Sequence, residues 1–305
     1  MARGRKTGRD ISGWLIVDKP AGLTSTAVVN KARWLLKARK AGHAGTLDPA
    51  ATGLLAIAFG EATKCVPYVM DALKAYEFTV RWGAATNTDD AEGEVIATRD
   101  TRPDRAAIQA ALPAFTGDIR QVPPQYSAVK VDGVRAYALA RGGEAPELSA
   151  RDLHVDSLTL LDCVDADTAR FKMVCGKGGY VRALARDLGQ SLGCLGHVTA
   201  LRRTWSGPFT LDQAMPWPDA PDIDPDPGVV EAALLPIEAG LRDLPECRCA
   251  PGTLGRLRNG NPVEVLMSEA ENGDPCWVSV SGSAVALAIY KFGSVHPNRV
   301  LSVAE

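Results

Sequence analysis

The densest group of chemistry-capable residues is Gly42 to Gly53, GHAGTLDPAATG. Three glycines in twelve residues allow left-handed backbone and close approach of a ligand to the chain. Pro49 restricts Asp48 to extended backbone and stiffens the loop around its carboxylate. A lone Asp before Pro is ordinarily a turn residue, so this loop alone does not establish catalysis. A second group is Gly176-Lys177-Gly178-Gly179, followed by Tyr180-Val181-Arg182. Apolar residues at Val181, Leu184, Leu188 and Leu192 define one helical face, with Arg182 and Arg186 together off it. Such a glycine stretch can cradle a phosphate, but it lacks the spacing of a P-loop.

Other chemistries are excluded by what the sequence lacks. It has no GxxxxGK[ST], HExxH, GxSxG or strand-to-helix GxGxxG. Four histidines (His43, His154, His197, His296) are not paired at metal-ligand spacing. Seven cysteines include a bare CxC at Cys247 and Cys249 but no CxxC, so structural thiols in a reduced, cytoplasmic setting are expected. No cofactor and no metal are expected. The longest apolar run, Ala284 to Tyr290, is seven residues, where a membrane span needs about 20. The basic start MARGRK is not followed by the apolar stretch of a signal peptide.

These residues need elements to hold them. Trp14 to Val17 predicts a buried strand, and Thr24-Ser25 an N-cap for a helix to about Lys37. Leu54 to Phe59 predicts a strand, Glu61 to Asp71 a helix, and the alternation Tyr76 to Trp82 a half-buried strand. Turn chemistry in Asn87 to Gly93 (NTDDAEG) precedes Val95-Ile96, and Pro103 to Ala114 suits a helix. Leu153 to Leu161 and Ala169 to Cys175 read as two strands around an Asp165-Ala166-Asp167 turn. Strands with helices interspersed irregularly argue an α+β fold with a mixed, largely antiparallel sheet. A β-rich second domain is expected over 247–305, after a basic tail (1–10) and a catalytic domain (11–246).

The 305 residues are 46% hydrophobic and 23% charged, with net charge −2. That describes a globular chain of about two domains and conceals a strong asymmetry. Residues 1–40 carry ten basic and two acidic side chains, a balance of +8. Residues 212–246 carry nine acids against Arg242 alone, a balance of −8. Pro216, Pro218, Pro221, Pro225 and Pro227 interrupt the latter, so 215–228 reads as an exposed loop. A single helix is expected from Val229 to Leu241. Uneven charge of this kind fits either a polyanion partner or a solvated basic face.

Six segments, taken in order, carry a resemblance. VDKPAGLTS (Val17 to Ser25), GHAGTLDPAATG, KAYEF (Lys74 to Phe78), PPQYSAVKVDGVRAYALAR (Pro123 to Arg141), CGKGGYVRALARDLG (Cys175 to Gly189) and LRRTWSGPF (Leu201 to Phe209) resemble pseudouridine synthases of the TruB type. The similarity covers about residues 11–210, and the tail from about 247 resembles a small PUA RNA-binding domain. The resemblance implies isomerisation of the uridine at position 55 in the tRNA T-loop, with an added tRNA-folding role open. It also implies a cytoplasmic monomer that acts on the T-arm without a guide RNA or cofactor. The short N-terminus and the thumb argue against a guide-RNA-dependent synthase.

Residue roles follow from the same resemblance. Asp48 is implied as the nucleophile, with Arg182 as the cation that favours its ionised form. Tyr76 is implied to stack on the extruded uracil and help remove the C5 proton, and Tyr180 and Leu201 to line the base pocket. His43 is implied to contact RNA and fill space left by flipped bases. Lys19 and Pro20 would brace the Asp48 loop. A thumb at about 123–151, with Lys130, Arg135, Arg141 and Arg151, would close on the T-arm, and Arg203 is a further supporting or RNA-contact residue. Two departures stand out: Ala44 where the motif often has Thr, and Gly176 and Gly179 where it usually has Ser and Thr. Those glycines are expected to loosen the loop before Arg182.

Overall fold

The computed structural model describes residues 8–127, 129–131, 133–142, 146–220 and 222–302; the side chains of Lys130, Arg135, Ala138 and Arg141 lie outside the described residues. Contacts divide the chain into two compact units. The first comprises Met1–Pro49, Gly53–Asp71 and Ser206–Glu305; the second comprises Ala50–Thr52 and Ala72–Trp205.

In the first unit, the strand Gly13–Lys19 runs antiparallel to Thr52–Phe59, with Trp14 opposite Ala58 and Lys19 opposite Gly53. Its apolar run is continuous because the strand is buried almost throughout. Trp14 is fully buried with Ile16, Leu54, Ala56 and Phe209, and its indole N–H donates to the Ile237 carbonyl at 3.1 Å. The helix Ser25–Leu35 starts where Thr24 accepts from the Ala27 amide at 3.0 Å. It stops two residues before the expected Lys37, which turns into the left-handed region at φ 49°.

Two expected helices are broken. Gly60–Lys64 is a 3₁₀ turn, and the α-helix begins only at Val66, with Pro67 in its first turn. Val229 to Leu241 is not one helix either. Pro227–Ala232 is helical, Leu235 exchanges backbone bonds with Trp14 (2.7 and 2.8 Å), and a 3₁₀ turn occupies Ile237–Leu241. Pro236 has no amide to continue the helix. The expected exposed loop also starts later, because Met215–Pro216 pairs with Val17 and Asp18 and Trp217 is buried.

The tail forms its own six-stranded sheet, in the order Val263–Glu264, Ser294–Val300, Ser283–Lys291, Pro275–Val280, Glu246–Cys249, Met267–Ser268. Cys247, Leu257, Cys276, Val278 and Ala286 fill its core. Ala284, Leu287 and Leu301 join the cluster around Trp14.

The second unit is built on five strands, in the order Gly196–Ser206, Lys74–Trp82, Thr168–Cys175, Arg151–Cys163, Gly117–Gln121. Phe78 stacks on Phe171 at 5.4 Å, and Trp82 meets Phe171 edge-on at 6.1 Å. The helix Val181–Ser191 buries Val181, Leu184, Ala185 and Leu188 in the same cluster. A small hairpin (Lys130–Val131, Val134–Arg135) and the helix Ala136–Arg141 fall in the segment expected to be a thumb, where Val129, Ala136 and Leu148 form a small core. The fold is α+β with a large mixed sheet and a β-rich C-terminal part, as expected.

Candidate active site

The Asp48 loop is pinned on both sides of the aspartate. Ser25 Oγ donates to the Leu47 carbonyl at 2.9 Å, and the Leu47 amide donates back to it at 2.8 Å. On the other side, the Pro49 carbonyl accepts from the Gly22 amide at 2.9 Å and from Lys19 Nζ at 3.1 Å. Lys19 is fully buried, and its ammonium also donates to the carbonyls of Pro20 (2.7 Å) and Leu23 (2.8 Å). A buried lysine is tolerable only when its three protons are met, and here carbonyl oxygens meet them. Lys19 thus ties the carbonyls of Pro20 and Leu23 to that of Pro49, and Asp48 stands half-buried between fixed neighbours.

His43 ends the short strand Ala41–His43, opposite Ile57. The next residue, Ala44, is fully buried in the apolar cluster with Trp14 and Leu54. Ala suits that site, since a threonine hydroxyl there would need a partner. His43, Asp48, Lys19 and Pro20 all belong to the first unit.

Tyr76, Tyr180, Arg182, Leu201 and Arg203 belong to the second unit. Tyr76 lies on the strand Lys74–Trp82 opposite Met173, and its side chain joins the core cluster. Leu201 is partly buried against that cluster. Arg203 is 1% exposed, so it supports the fold from within and does not offer RNA an open contact. Tyr180 packs on the thumb core.

Arg182 is 7% exposed and held from three directions. It donates to the carbonyls of Thr88 (2.9 Å) and Tyr126 (2.8 Å), and its Nη1 lies 3.5 Å from Asp90 Oδ2. One turn on, Arg186 binds Asp89 at 2.9 Å, Asp187 at 2.8 Å and the Val122 carbonyl at 2.8 Å. Burial pushes the Asp89 carboxyl up, while Arg186 and Arg182 oppose that rise. The turn NTDD is thus a carboxylate pair that fixes the two arginines, a role its turn chemistry alone does not reveal.

The helix carrying Arg182 has an unusual start. Tyr180 supplies no side-chain cap. Gln121 supplies the missing contacts: its Oε1 accepts from the Tyr180 amide at 2.9 Å, and its Nε2 donates to the Tyr180 carbonyl at 3.1 Å. The loop before it is tightly filled. A Cβ at Gly179 would lie 2.6 Å from Cys175 Sγ, so the thiol occupies the space a Thr side chain would need. Gly178, at φ +89°, makes the reversal. The expected loosening is therefore offset by packing and by the three anchors on Arg182.

Residues 128, 132 and 143–145 of the expected thumb, and the Lys130, Arg135 and Arg141 side chains, lie outside the described residues. Among the described residues no cluster of three or more His, Cys, Asp or Glu side chains can hold a metal ion. No described helix is long and apolar enough to cross a membrane.

Residues 33–181 match the model of the TruB family pseudouridylate synthase N-terminal domain. Residues 182–242 match that of the tRNA pseudouridylate synthase B C-terminal domain. The chain belongs to the TruB family. A tRNA pseudouridine synthase B from Dinoroseobacter shibae is 61% identical over 296 residues, covering 97% of both chains. One from Ruegeria pomeroyi is 61% identical over the full length of both, and one from Brucella anthropi is 46% identical over 98% of each. Among solved structures, a chain of an H/ACA ribonucleoprotein bound to a substrate RNA containing 2′-deoxyuridine has the same fold. Its TM-score is 0.72 at 22% identity, over 95% of this chain and 85% of that one. A chain of a Cbf5-Nop10-Gar1 complex aligns with a TM-score of 0.71 at 24% identity, over 96% of this chain and 84% of that one. Of the TruB motifs, the Asp48 loop, the Lys74–Phe78 strand and the Tyr180-Val181-Arg182 helix start all fall within the matched domains.

Proposed function

We propose that this TruB-family chain is a tRNA pseudouridine synthase, an intramolecular transferase that converts uridine 55 of the T-loop to pseudouridine. The reaction breaks the N1–C1′ bond and forms C5–C1′, so nothing is oxidised and no group is added. Asp48 supplies the carboxylate at the reacting centre, Arg182 the neighbouring cation, and Tyr76 the ring on which the flipped uracil stacks, an interaction worth about 1–3 kcal/mol per base. Tyr180 and Leu201 line the base pocket, and His43 contacts the RNA. The thumb, with Lys130 and Arg141, takes phosphate and 2′-hydroxyl groups by shape, and residues 247–305 act as a PUA-like RNA-binding module. The enzyme works in the cytoplasm as a monomer on bare tRNA, without guide RNA or cofactor.

What supports this reading most is the fixing of Asp48. A carboxylate flanked by Leu47 and Pro49, each locked by hydrogen bonds, is preorganised for chemistry and costs little to orient at the moment of reaction. The test is pseudouridine mapping on a T-arm stem-loop and a full-length transcript. Conversion at position 55 by the purified chain alone is the expected result. Modification that requires a second RNA would refute the guide-free reading. Refolding of tRNA by an Asp48→Asn protein would reveal the additional folding role.

A further inference from the structure

The acidic, proline-interrupted segment that evened out the net charge has a definite place in the first unit. It lies against the helix Ser25–Leu35: Asp224 pairs with Lys31, and Glu231 holds Arg9 through two hydrogen bonds. Between them runs a groove of about 1140 Å³. The acidic segment lines it with Asp224 and Asp226, and the helix end and the turn after it with Trp34, Arg33, Lys37 and Arg39, the last also 3.4 Å from Asp10. Trp34 is 64% exposed, and Lys31 Nζ sits 5.4 Å from the centre of its ring. Neither Arg33 nor Lys37 is paired with a carboxylate among the described residues. Lys37 occupies a left-handed position after the helix where glycine is usual.

We propose that this groove is a second RNA-binding surface: Trp34 stacks a base, and Arg33, Lys37 and Arg39 hold the flanking phosphates. The Lys31–Asp224 pair guards it, with Asp224 standing where a phosphate would otherwise meet Lys31. The proposal rests on RNA being the substrate. A tryptophan among cations is the combination that binds single-stranded nucleic acid, the ring giving stacking and the cations backbone charge. A protein-docking patch would instead present several exposed apolar side chains. Of the groove's large apolar residues, Leu35 is buried and only Trp34 is exposed. The groove is separate from the reacting loop: Trp34 lies nine residues along the helix from Ser25, about 14 Å at 1.5 Å per residue. The acidic segment repels loosely held RNA, so only a ligand anchored elsewhere displaces Asp224 from Lys31. Stretches with opposite net charges are thereby coupled, one as surface and the other as competitor.

The test measures the Kd of an unmodified full-length tRNA transcript and of a U-rich single strand across a salt series, with steady-state kinetics on the tRNA. Trp34→Ala should raise Kd and KM for tRNA about fivefold or more, the lower end of one lost stacked base, and the double variant Arg33→Ala/Lys37→Ala should raise both by a similar factor. Their kcat should stay within twofold of wild type. The double variant should also lower the slope of log K against log salt by about 2. Asp224→Asn should tighten binding, most of all for the U-rich strand. All these side chains are exposed or half-exposed, and circular dichroism should show an unchanged fold. Wild-type Kd and salt slope in both binding variants would overturn the proposal, as would weaker binding by Asp224→Asn. Should the variants lose binding as expected while the wild type makes no pseudouridine, the functional reading fails and the surface stands.

Discussion

At the scale of single residues, the site depends on side chains that never meet substrate. Ser25 is 1% exposed, and its one hydroxyl makes both bonds to Leu47. Ser25→Ala leaves a buried amide and carbonyl unpaired, which costs about 1–3 kcal/mol. We expect a lower melting temperature and a fall in kcat larger than the rise in KM, because the Asp48 loop is released while the RNA surface is kept. Gly179 and Cys175 make a second residue-scale pair. Gly179→Ala should destabilise the protein by about 1–3 kcal/mol through overpacking, and Cys175→Ala in the same chain should restore most of it by vacating the space. Thermal melts of the two single variants and the double variant check this. Cys175 is a buried thiol whose pKa is pushed up to about 12, so in the native protein at pH 8 it should resist alkylation. Partly exposed Cys163 should label first, as read by mass spectrometry.

Among elements, the start of the Arg182 helix shows why some of the site was hidden in the sequence. The apolar period through Val181, Leu184 and Leu188 is plain and sets Arg182 and Arg186 off the apolar face, but it does not show that Arg182 is itself buried. No periodicity reveals that Gln121, 59 positions away, clamps the first turn through Tyr180. Gln121→Leu should fray that turn and displace Arg182, costing about 1–3 kcal/mol of stability. Hydrogen exchange should quicken selectively at residues 180–184. The same contrast runs through the fold. Strands with a clear alternation or apolar run, such as Tyr76–Trp82 and Trp14–Val17, were legible and extend only a residue or three further. The long strand Gly196–Ser206 was not, because its arginines and threonines blur the alternation. Helices expected across Cys65 and Pro236 failed where proline removes an amide, and a window-wide pattern overlooks such a local veto.

For the whole molecule, a net charge of −2 is the sum of opposed regions. Part of the cancellation is physical contact, since Arg9 meets Glu231 and Lys31 meets Asp224. Arg33 and Lys37 stay exposed beside those pairs, so RNA affinity should fall steeply with salt in spite of a pI near 6.1. The functional account rests on one carboxylate. Asp48→Asn should bind a T-arm stem-loop with nearly wild-type affinity and form no pseudouridine at position 55, scored by mass spectrometry of the RNA beside the wild type. Full conversion by that variant would contradict the account.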